Sequence, residues 1–412
     1  MSFSRKPRPE ALILGNLGRK GYGLIRSLAR AGVPVVGTSD LHFDVGSFSR
    51  YCQRYYTYSN SADGKELCQL LLRWRSDFQQ NPVLFALYDH DALMLAKYQD
   101  ELSTYYEYHW VPREALVQII SKDQMSLLCQ QAGVLIPQTH RTRPNEDLQA
   151  STRDFPFPCL VKPIQKRTPG FPSDRKNFLA ETRQDLIDFY RRHLGLLGLT
   201  IWQELLEGGD ENNFVCGMVV RKSGEPAGVF CTHKLHQYPP YGVMCYGRSE
   251  WNDVVVSKAL QLVRYLGYRG VASLEFKFQP KDARYYFIEM NARWPQYCGY
   301  FAEAGVNLPL LTYLDLAGIS DHTAFRARQR DQVYWVYAHE DAKWFWGTPR
   351  KDRPSLWQWL KSVAQADSYA FWNWRDPAPW FAVSLQTLQV GVQKLLRRFR
   401  NSWAHKIRVC SQ

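Results

Sequence analysis

Two short apolar runs, ALILGN (11–16) and VPVVGTS (33–39), flank a glycine-rich exit and the helical stretch GLIRSLARAG. No other feature narrows the fold as much. Strands joined through one helix lie parallel in a single sheet, and such sheets are covered by helices on both faces. A third run, PVLFALYDHD (82–91), reads as a buried strand that ends in a polar cluster before the helical ALMLAKYQDEL. The chain up to residue 118 is therefore expected to form a Rossmann-like parallel-sheet domain, with ligands gathered at the carboxyl ends of its strands.

Beyond residue 118 the pattern becomes mixed α+β. ISKDQMSLLCQQAG (120–133) reads as a helix with Ser121 as N-cap and Gly133 as its stop. FPCLVKP and LTIWQELLEG read as strands, separated by a polar loop from Gln165 to Lys176. Residues 213–236 read as two strands with a hairpin at KSGEP, and VVSKALQLVRYLGY as an amphipathic helix. VASLEFKF and ARYYFIEMN are strands joined around QPKD. From these elements we expect a second domain over 119–325, divided into subdomains at about 119–200 and 201–325.

The segment 326–412 differs again. It holds nine of the fourteen tryptophans, and beyond residue 330 twelve Lys and Arg stand against six Asp and Glu. It reads as a Trp-rich, basic helical extension. Within it, LQTLQVGVQKLLRRFRNSW (385–403) places Leu388, Val392, Leu395, Leu396 and Phe399 on one helical stripe beside Arg397, Arg398 and Arg400. That stripe suits either packing on the preceding domain or a peripheral contact with a membrane.

A net charge of +13 favours anionic partners. No helix-turn-helix, RRM or zinc-finger pattern accompanies it, so phosphate-bearing small molecules are expected rather than nucleic acid. The nine cysteines are scattered singly, which excludes a patterned disulfide framework or structural zinc and implies a reducing, cytoplasmic setting. No apolar run reaches the length of a membrane span.

The residues with most chemical content lie near position 280. Glu289 and Asn291 are two apart on a strand and share a face, and Glu275 alternates with Leu274, Phe276 and Phe278. Two carboxylates and an amide oxygen suit Mg²⁺ accompanying a nucleoside triphosphate. A register with Glu275 opposite Glu289 pairs Gln279 with Tyr285 and leaves a three-residue loop, Lys281 to Ala283. It also stacks Tyr286, Ile288 and Met290 on the apolar face. Lys162 ends an apolar strand, where a lysine is costly without an anion, and Lys122 opens a helix, where phosphate is favoured. Gly15, Gly18, Gly21 and Gly23 do not form a clean dinucleotide fingerprint, although Asp40 follows the second strand. An NAD-dependent oxidoreductase is accordingly a lesser alternative. His90, His233 and His236 have no third ligand at metal spacing and read as loop residues.

The order of these motifs resembles the ATP-grasp superfamily. The likeness runs from residue 11 to about 320 through Lys122, LVKP, QELLEG-GD, GYRG-x4-EF and IEMNARWP, with the last piece the most specific. Within it the chain looks similar to carboxylate–amine ligases related to D-aspartate ligase and to carbamoyl-phosphate synthase large chains. The resemblance implies an ATP-grasp fold, α/β and α+β, behind the Rossmann-like domain and ahead of the C-terminal helical extension. It implies that Lys122 and Lys162 hold the α- and β-phosphates, that Gln203, Glu204 and Leu206 form the hinge at adenine, and that Asp210 (with Glu211 as rival) meets the ribose. Glu275, Glu289 and Asn291 would ligate Mg²⁺, and Arg293 would contact the γ-phosphate and the acyl phosphate.

The implied activity is ATP-dependent amide formation through an acyl phosphate, joining an amino acid to a cell-wall, surface-sugar or secondary-metabolite acceptor. A nucleotide-binding relic without catalysis is the alternative within the family. Expected partners are small-molecule carboxylate and amine substrates, with a homodimer and a peripheral membrane contact on the inner face as further assemblies. Two departures stand out. The loop 165–176, the expected lid, is rich in Lys and Arg rather than small residues. Ser273 occupies a position where D-alanine ligases carry a catalytic arginine.

Overall fold

The computed structural model describes residues 8–59, 64–109, 111–165, 168–172 and 177–389. Strands β1 (Ala11–Leu14), β2 (Val35–Ser39), β3 (Cys52–Thr57) and β4 (Val83–Ala86) form a parallel sheet in the order β3-β2-β1-β4. β1 and β2 are buried along their whole length, as their unbroken apolar runs require. β4 stops at Ala86, and Asp89 to Lys97 already forms a helix. The expected strand to residue 91 was too long because Asp91 caps that helix, its carboxylate accepting from Tyr88 N at 3.0 Å.

In the glycine cluster after β1, Gly15 takes a positive φ of 105° at the turn and Gly23 serves packing. A Cβ on Gly23, in the helix Tyr22–Arg30, would lie 2.7 Å from Gly299 N, so the bare backbone lets this helix meet the helix Cys298–Glu303. That contact brings the first sheet against the rest of the molecule.

A second, antiparallel sheet has the order β5 (Thr139–Arg141), β8 (Thr200–Glu204), β6 (Cys159–Pro163), β7 (Phe178–Ala180). Because β8 pairs with both β5 and β6, this sheet runs to Glu204 and does not end at residue 200. Half of the loop 165–176, including its basic residues Lys166, Arg167, Arg175 and Lys176, lies outside the described residues.

The third sheet has seven strands. Its order is β13 (Arg284–Asn291), β12 (Gly270–Gln279), β9 (Asn213–Val220), β10 (Pro226–Tyr238), β11 (Val243–Ser249), β14 (Tyr334–Val336), β15 (Ser368–Tyr369). The helix Asp253–Tyr265 covers one face through Val255, Ala259 and Leu262, against Leu274, Phe276 and Phe287. The other face meets Tyr300, Phe301, Leu308 and the helix Tyr22–Arg30.

The C-terminal segment carries the helices Ala338–Gly347 and Leu356–Ala364 and is also joined to the rest of the fold. β14 pairs with β11 and β15 with β14, lengthening the third sheet. Asp376, 1% exposed, accepts from Ser49 Oγ and from Arg50 N at 3.0 Å, and Tyr22 OH donates to its carbonyl. Bonds of this kind to a buried carboxylate contribute about 1–3 kcal/mol, and these fasten the segment to the first sheet. Of the basic stripe expected near the C-terminus, Leu388 is described; Val392, Leu395, Leu396 and Phe399 with Arg397, Arg398 and Arg400 lie outside the described residues. Among the described residues no helix is long and apolar enough to cross a membrane.

Candidate active site

Glu275 and Glu289 are direct partners across the antiparallel pair β12–β13, and Ser273 is opposite Asn291. Opposite residues share a face, so all three oxygen-bearing side chains project from one side of the sheet. The route to that register is not the expected one. Gln279 pairs with Arg284 and Phe276 with Phe287, a register that would bring Glu275 opposite Ile288 if it continued. It shifts between Phe276 and Glu275, where Ile288 is left without a partner. This bulge inserts one residue and restores the carboxylates to a common face. The loop accordingly holds four residues, Pro280 to Ala283, and Ala283 takes a positive φ of 54°. The apolar set changes as well: Phe287 and Met290 are buried with Leu274 and Phe276, whereas Tyr286 and Ile288 are partly exposed.

Charged neighbours fix these groups. Lys234, on β10, places Nζ 2.6 Å from Glu275 Oε1. Arg293 donates from Nη2 to Asn291 Oδ1 at 2.7 Å and pairs through Nε with Asp89 Oδ1 at 3.1 Å. Asn291 Nδ2 donates to Glu289 Oε1 at 3.0 Å. Arg293 thereby ties the end of β13 to the helix that follows β4. Ser273, buried, shares a hydrogen bond of 3.0 Å with Tyr297 OH.

A cavity of ≈ 320 Å³ opens between the second and third sheets. Lys122, Lys162, Gln203, Glu204, Leu206, Asp210, Glu275, Glu289 and Asn291 all line it. Lys122, in the first turn of the helix Lys122–Gln131, donates to Pro163 O at 2.7 Å, and Lys162 donates to Gln203 Oε1. Ser121 occupies the N-cap position of that helix, but its hydroxyl bonds Asp123 and does not cap the backbone. Asp210 accepts from Gln237 N at 2.9 Å and from Gln237 Nε2 at 2.6 Å. The Glu211 carboxylate instead accepts from Gly209 N at 3.2 Å and is not part of the lining.

Two lysines escaped the sequence reading. Lys277 lies on β12 two residues beyond Glu275, on the same face, and donates to Leu206 O (2.9 Å) and Gly208 O (2.7 Å). Burial pulls its pKa down, opposed by Asp210, Glu211 and Glu275. Strand parity would have found it. Lys234 carries no such signal, because it reaches Glu275 across the intervening β9.

None of the three histidines is a loop residue: His90 lies in the helix Asp89–Lys97, and His233 and His236 lie on β10. His233, on β10, stacks on Phe214 and meets Glu250 Oε2 at 3.2 Å. His236 stacks on Trp344 and meets Asp341 Oδ1 at 2.7 Å. Among the described residues no group of three His, Cys, Asp or Glu side chains is gathered to hold a metal ion alone. Glu275, Glu289 and the Asn291 amide oxygen fit a hard divalent cation that brings phosphate oxygens as its remaining ligands.

Comparison with known proteins bears on the fold. The family model for the carbamoyl-phosphate synthase L chain, ATP binding domain, matches residues 248–299, which include β12 and β13. D-aspartate ligase from Enterococcus faecium (strain Aus0004) is 22% identical over 287 residues, covering 67% of this chain and 66% of that protein. The chain thus spans about two thirds of the length of that relative. Among solved structures, L-amino acid ligase from Bacillus licheniformis superposes with a TM-score of 0.59 at 15% identity, covering 79% of this chain and 78% of that one. The ADP complex of N5-carboxyaminoimidazole ribonucleotide synthetase gives 0.61 at 12% identity, covering 81% and 82%. The chain thus has the ATP-grasp fold, and the family match falls on the strand pair that bears Glu275, Glu289 and Asn291.

Proposed function

We propose that this protein is an ATP-dependent carboxylate–amine ligase. The carboxylate oxygen of one substrate attacks the γ-phosphorus of ATP, and ADP leaves. The amine nitrogen of the second substrate then attacks the acyl carbon, inorganic phosphate leaves, and the amine releases a proton as the amide forms. The observation that carries this reading is the convergence of Glu275, Glu289 and Asn291 with Lys122 and Lys162 on one cavity of an ATP-grasp fold.

Two anions must approach for the first step, and fixed cations offset their repulsion. Lys122 and Lys162 are assigned to the α- and β-phosphates, and Arg293 to the γ-phosphate. Lys234, already paired with Glu275, adds a further positive charge beside it. Gln203, Glu204 and Leu206 are assigned to adenine, with Lys277 holding the Leu206 and Gly208 carbonyls in place. Asp210 is assigned to the ribose. Mg²⁺ held by Glu275, Glu289 and Asn291 would supply charge neutralisation on the phosphates. The acid is taken to be an amino acid and the acceptor an amine on a cell-wall, surface-sugar or secondary-metabolite precursor, by analogy with the D-aspartate and L-amino acid ligases above.

The test is ADP and phosphate release across a panel of amino acids paired with amine acceptors, with hydroxylamine added to trap an acyl phosphate. Turnover should require Mg²⁺ and fall by about 10³ in Glu289→Ala and Asn291→Ala with the fold retained. Near-normal turnover in both variants would sink the assignment of these residues. ATP binding without ADP release on any pair would favour the non-catalytic alternative.

A further inference from the structure

Lys234 and Gln237 are three residues apart on β10, a spacing that turns side chains to opposite faces of a regular strand. Here they meet: Lys234 Nζ donates to Gln237 Oε1 at 3.3 Å. Two register shifts against β11 make this possible, one between Lys234 and His236 and one between His236 and Gln237. A strand interrupted in this way loses part of its ladder and needs support from elsewhere. His236 is the residue between the two shifts.

That support comes from the C-terminal segment. The His236 ring stacks on Trp344 with centroids 3.4 Å apart, and its Nδ1 donates to Asp341 Oδ1 at 2.7 Å. Asp341 is 0% exposed, and its Oδ2 accepts from Trp359 Nε1 at 2.8 Å. Trp359 in turn stacks on Phe345 at 4.8 Å. A buried carboxylate with a fixed donor on each oxygen makes a rigid anchor. Asp341 and Trp344 belong to the helix Ala338–Gly347 and Trp359 to Leu356–Ala364, both beyond the stretch whose motif order resembles the ATP-grasp superfamily.

Gln237 carries this anchorage into the cavity. Its backbone N donates to Asp210 Oδ2 at 2.9 Å and its Nε2 to Asp210 Oδ1 at 2.6 Å, so one residue orients both carboxylate oxygens. Because one of these bonds comes from the backbone, the place of residue 237 on the strand sets the place of Asp210. Asp210 and Gln237 line the cavity, whereas His236 and Asp341 do not.

We propose that His236 and Asp341 are positioning residues for the nucleotide: acting through Gln237, they place the Asp210 carboxylate at the ribose hydroxyls. The C-terminal segment thereby completes a site whose lining it does not enter. This role rests on the assignment of the cavity to ATP and of Asp210 to the ribose, and not on turnover.

The experiment is calorimetric titration of the full chain, in Mg²⁺, with ADP and with 2′,3′-dideoxy-ADP, and the readout is the ratio of the two dissociation constants. A general loosening of the fold weakens both nucleotides alike and leaves the ratio unmoved. Displacement of Asp210 weakens only the nucleotide that has hydroxyls. Wild type should prefer ADP by about tenfold. The preference should vanish in Asp210→Ala and fall to about threefold or less in Asp341→Leu and in His236→Phe, which keeps a ring on Trp344 but has no N–H. His236→Asn, whose amide donates from the place of Nδ1, should keep most of it. If Asp341→Leu does not fold, His236→Phe decides alone.

A wild-type ratio in His236→Phe, alongside its loss in Asp210→Ala, would overturn the proposal and leave the nucleotide reading standing. So would equal loss in His236→Phe and His236→Asn, which would trace the effect to the imidazole ring and not to its bond with Asp341. A ratio of one in wild type would overturn the ribose assignment, and no ADP binding by wild type would overturn the nucleotide reading. Either would take the positioning role with it.

Discussion

Lys234 Nζ and Glu275 Oε1 stand 2.6 Å apart, with the lysine side chain 2% exposed and the glutamate 17%. The pair links β10 to β12 across β9 and holds a positive charge beside the carboxylate cluster. Removing one partner of such a pair leaves the other charge buried, at a cost of about 2–4 kcal/mol. Lys234→Met should therefore lower the unfolding free energy by that amount in urea titration. The double variant Lys234→Met/Glu275→Gln should recover much of the loss, because neither charge is then stranded. Additive losses would show that the pair does not couple.

The bulge at Ile288 makes a prediction that runs against intuition. Deleting Ile288 removes the unpaired residue, so Glu289 follows Phe287 directly and still falls opposite Glu275. Deleting Met290 instead moves Asn291 to the position opposite Leu274, on the apolar face. ADP formation should survive the first deletion within about tenfold and fall by about 10³ in the second. The reverse order of severity would refute the register.

Ala283 closes the four-residue turn with φ of 54°. A left-handed backbone costs a residue with a Cβ roughly 1–2 kcal/mol, part of which glycine forfeits through its freer unfolded chain. Ala283→Gly should raise stability by about 0.5 kcal/mol, read as a small upward shift in the urea midpoint at unchanged slope.

Asp91 supplies a pH test. Burial drives its pKa up from 3.8 to about 8, against the pull of the Tyr88 N–H and of Lys20. Between those values the folded protein keeps a proton that the unfolded chain has released, so stability falls as pH rises from about 4 to about 8. Asp91→Asn removes that titration. Its urea midpoint should change less between pH 5 and pH 8 than that of the wild type, and it should be the more stable of the two at pH 8. A parallel decline in both proteins would mean that Asp91 is charged in the folded state.

Much of the site is legible in the sequence because it lies within single elements. Strand alternation puts Glu289 and Asn291 on one face and would have added Lys277 to Glu275. Lys162 declares itself by ending an apolar strand, and the β1–helix–β2 succession admits only a parallel pair. Periodicity reports neighbours inside an element and is silent about neighbours between elements. That Lys234 meets Glu275 depends on the order β12-β9-β10. That Gln237 reaches both Lys234 and Asp210 depends on the register shifts in β10 after Lys234. Asp376 binds Ser49 across 327 residues of chain, so the C-terminal segment joins the first domain, a contact that composition does not report. The hairpin makes the same point at the scale of one residue. Alternation finds the carboxylates, but whether they face each other is decided by an unpaired Ile288, whose place is set by packing Phe287 and Met290 into the core.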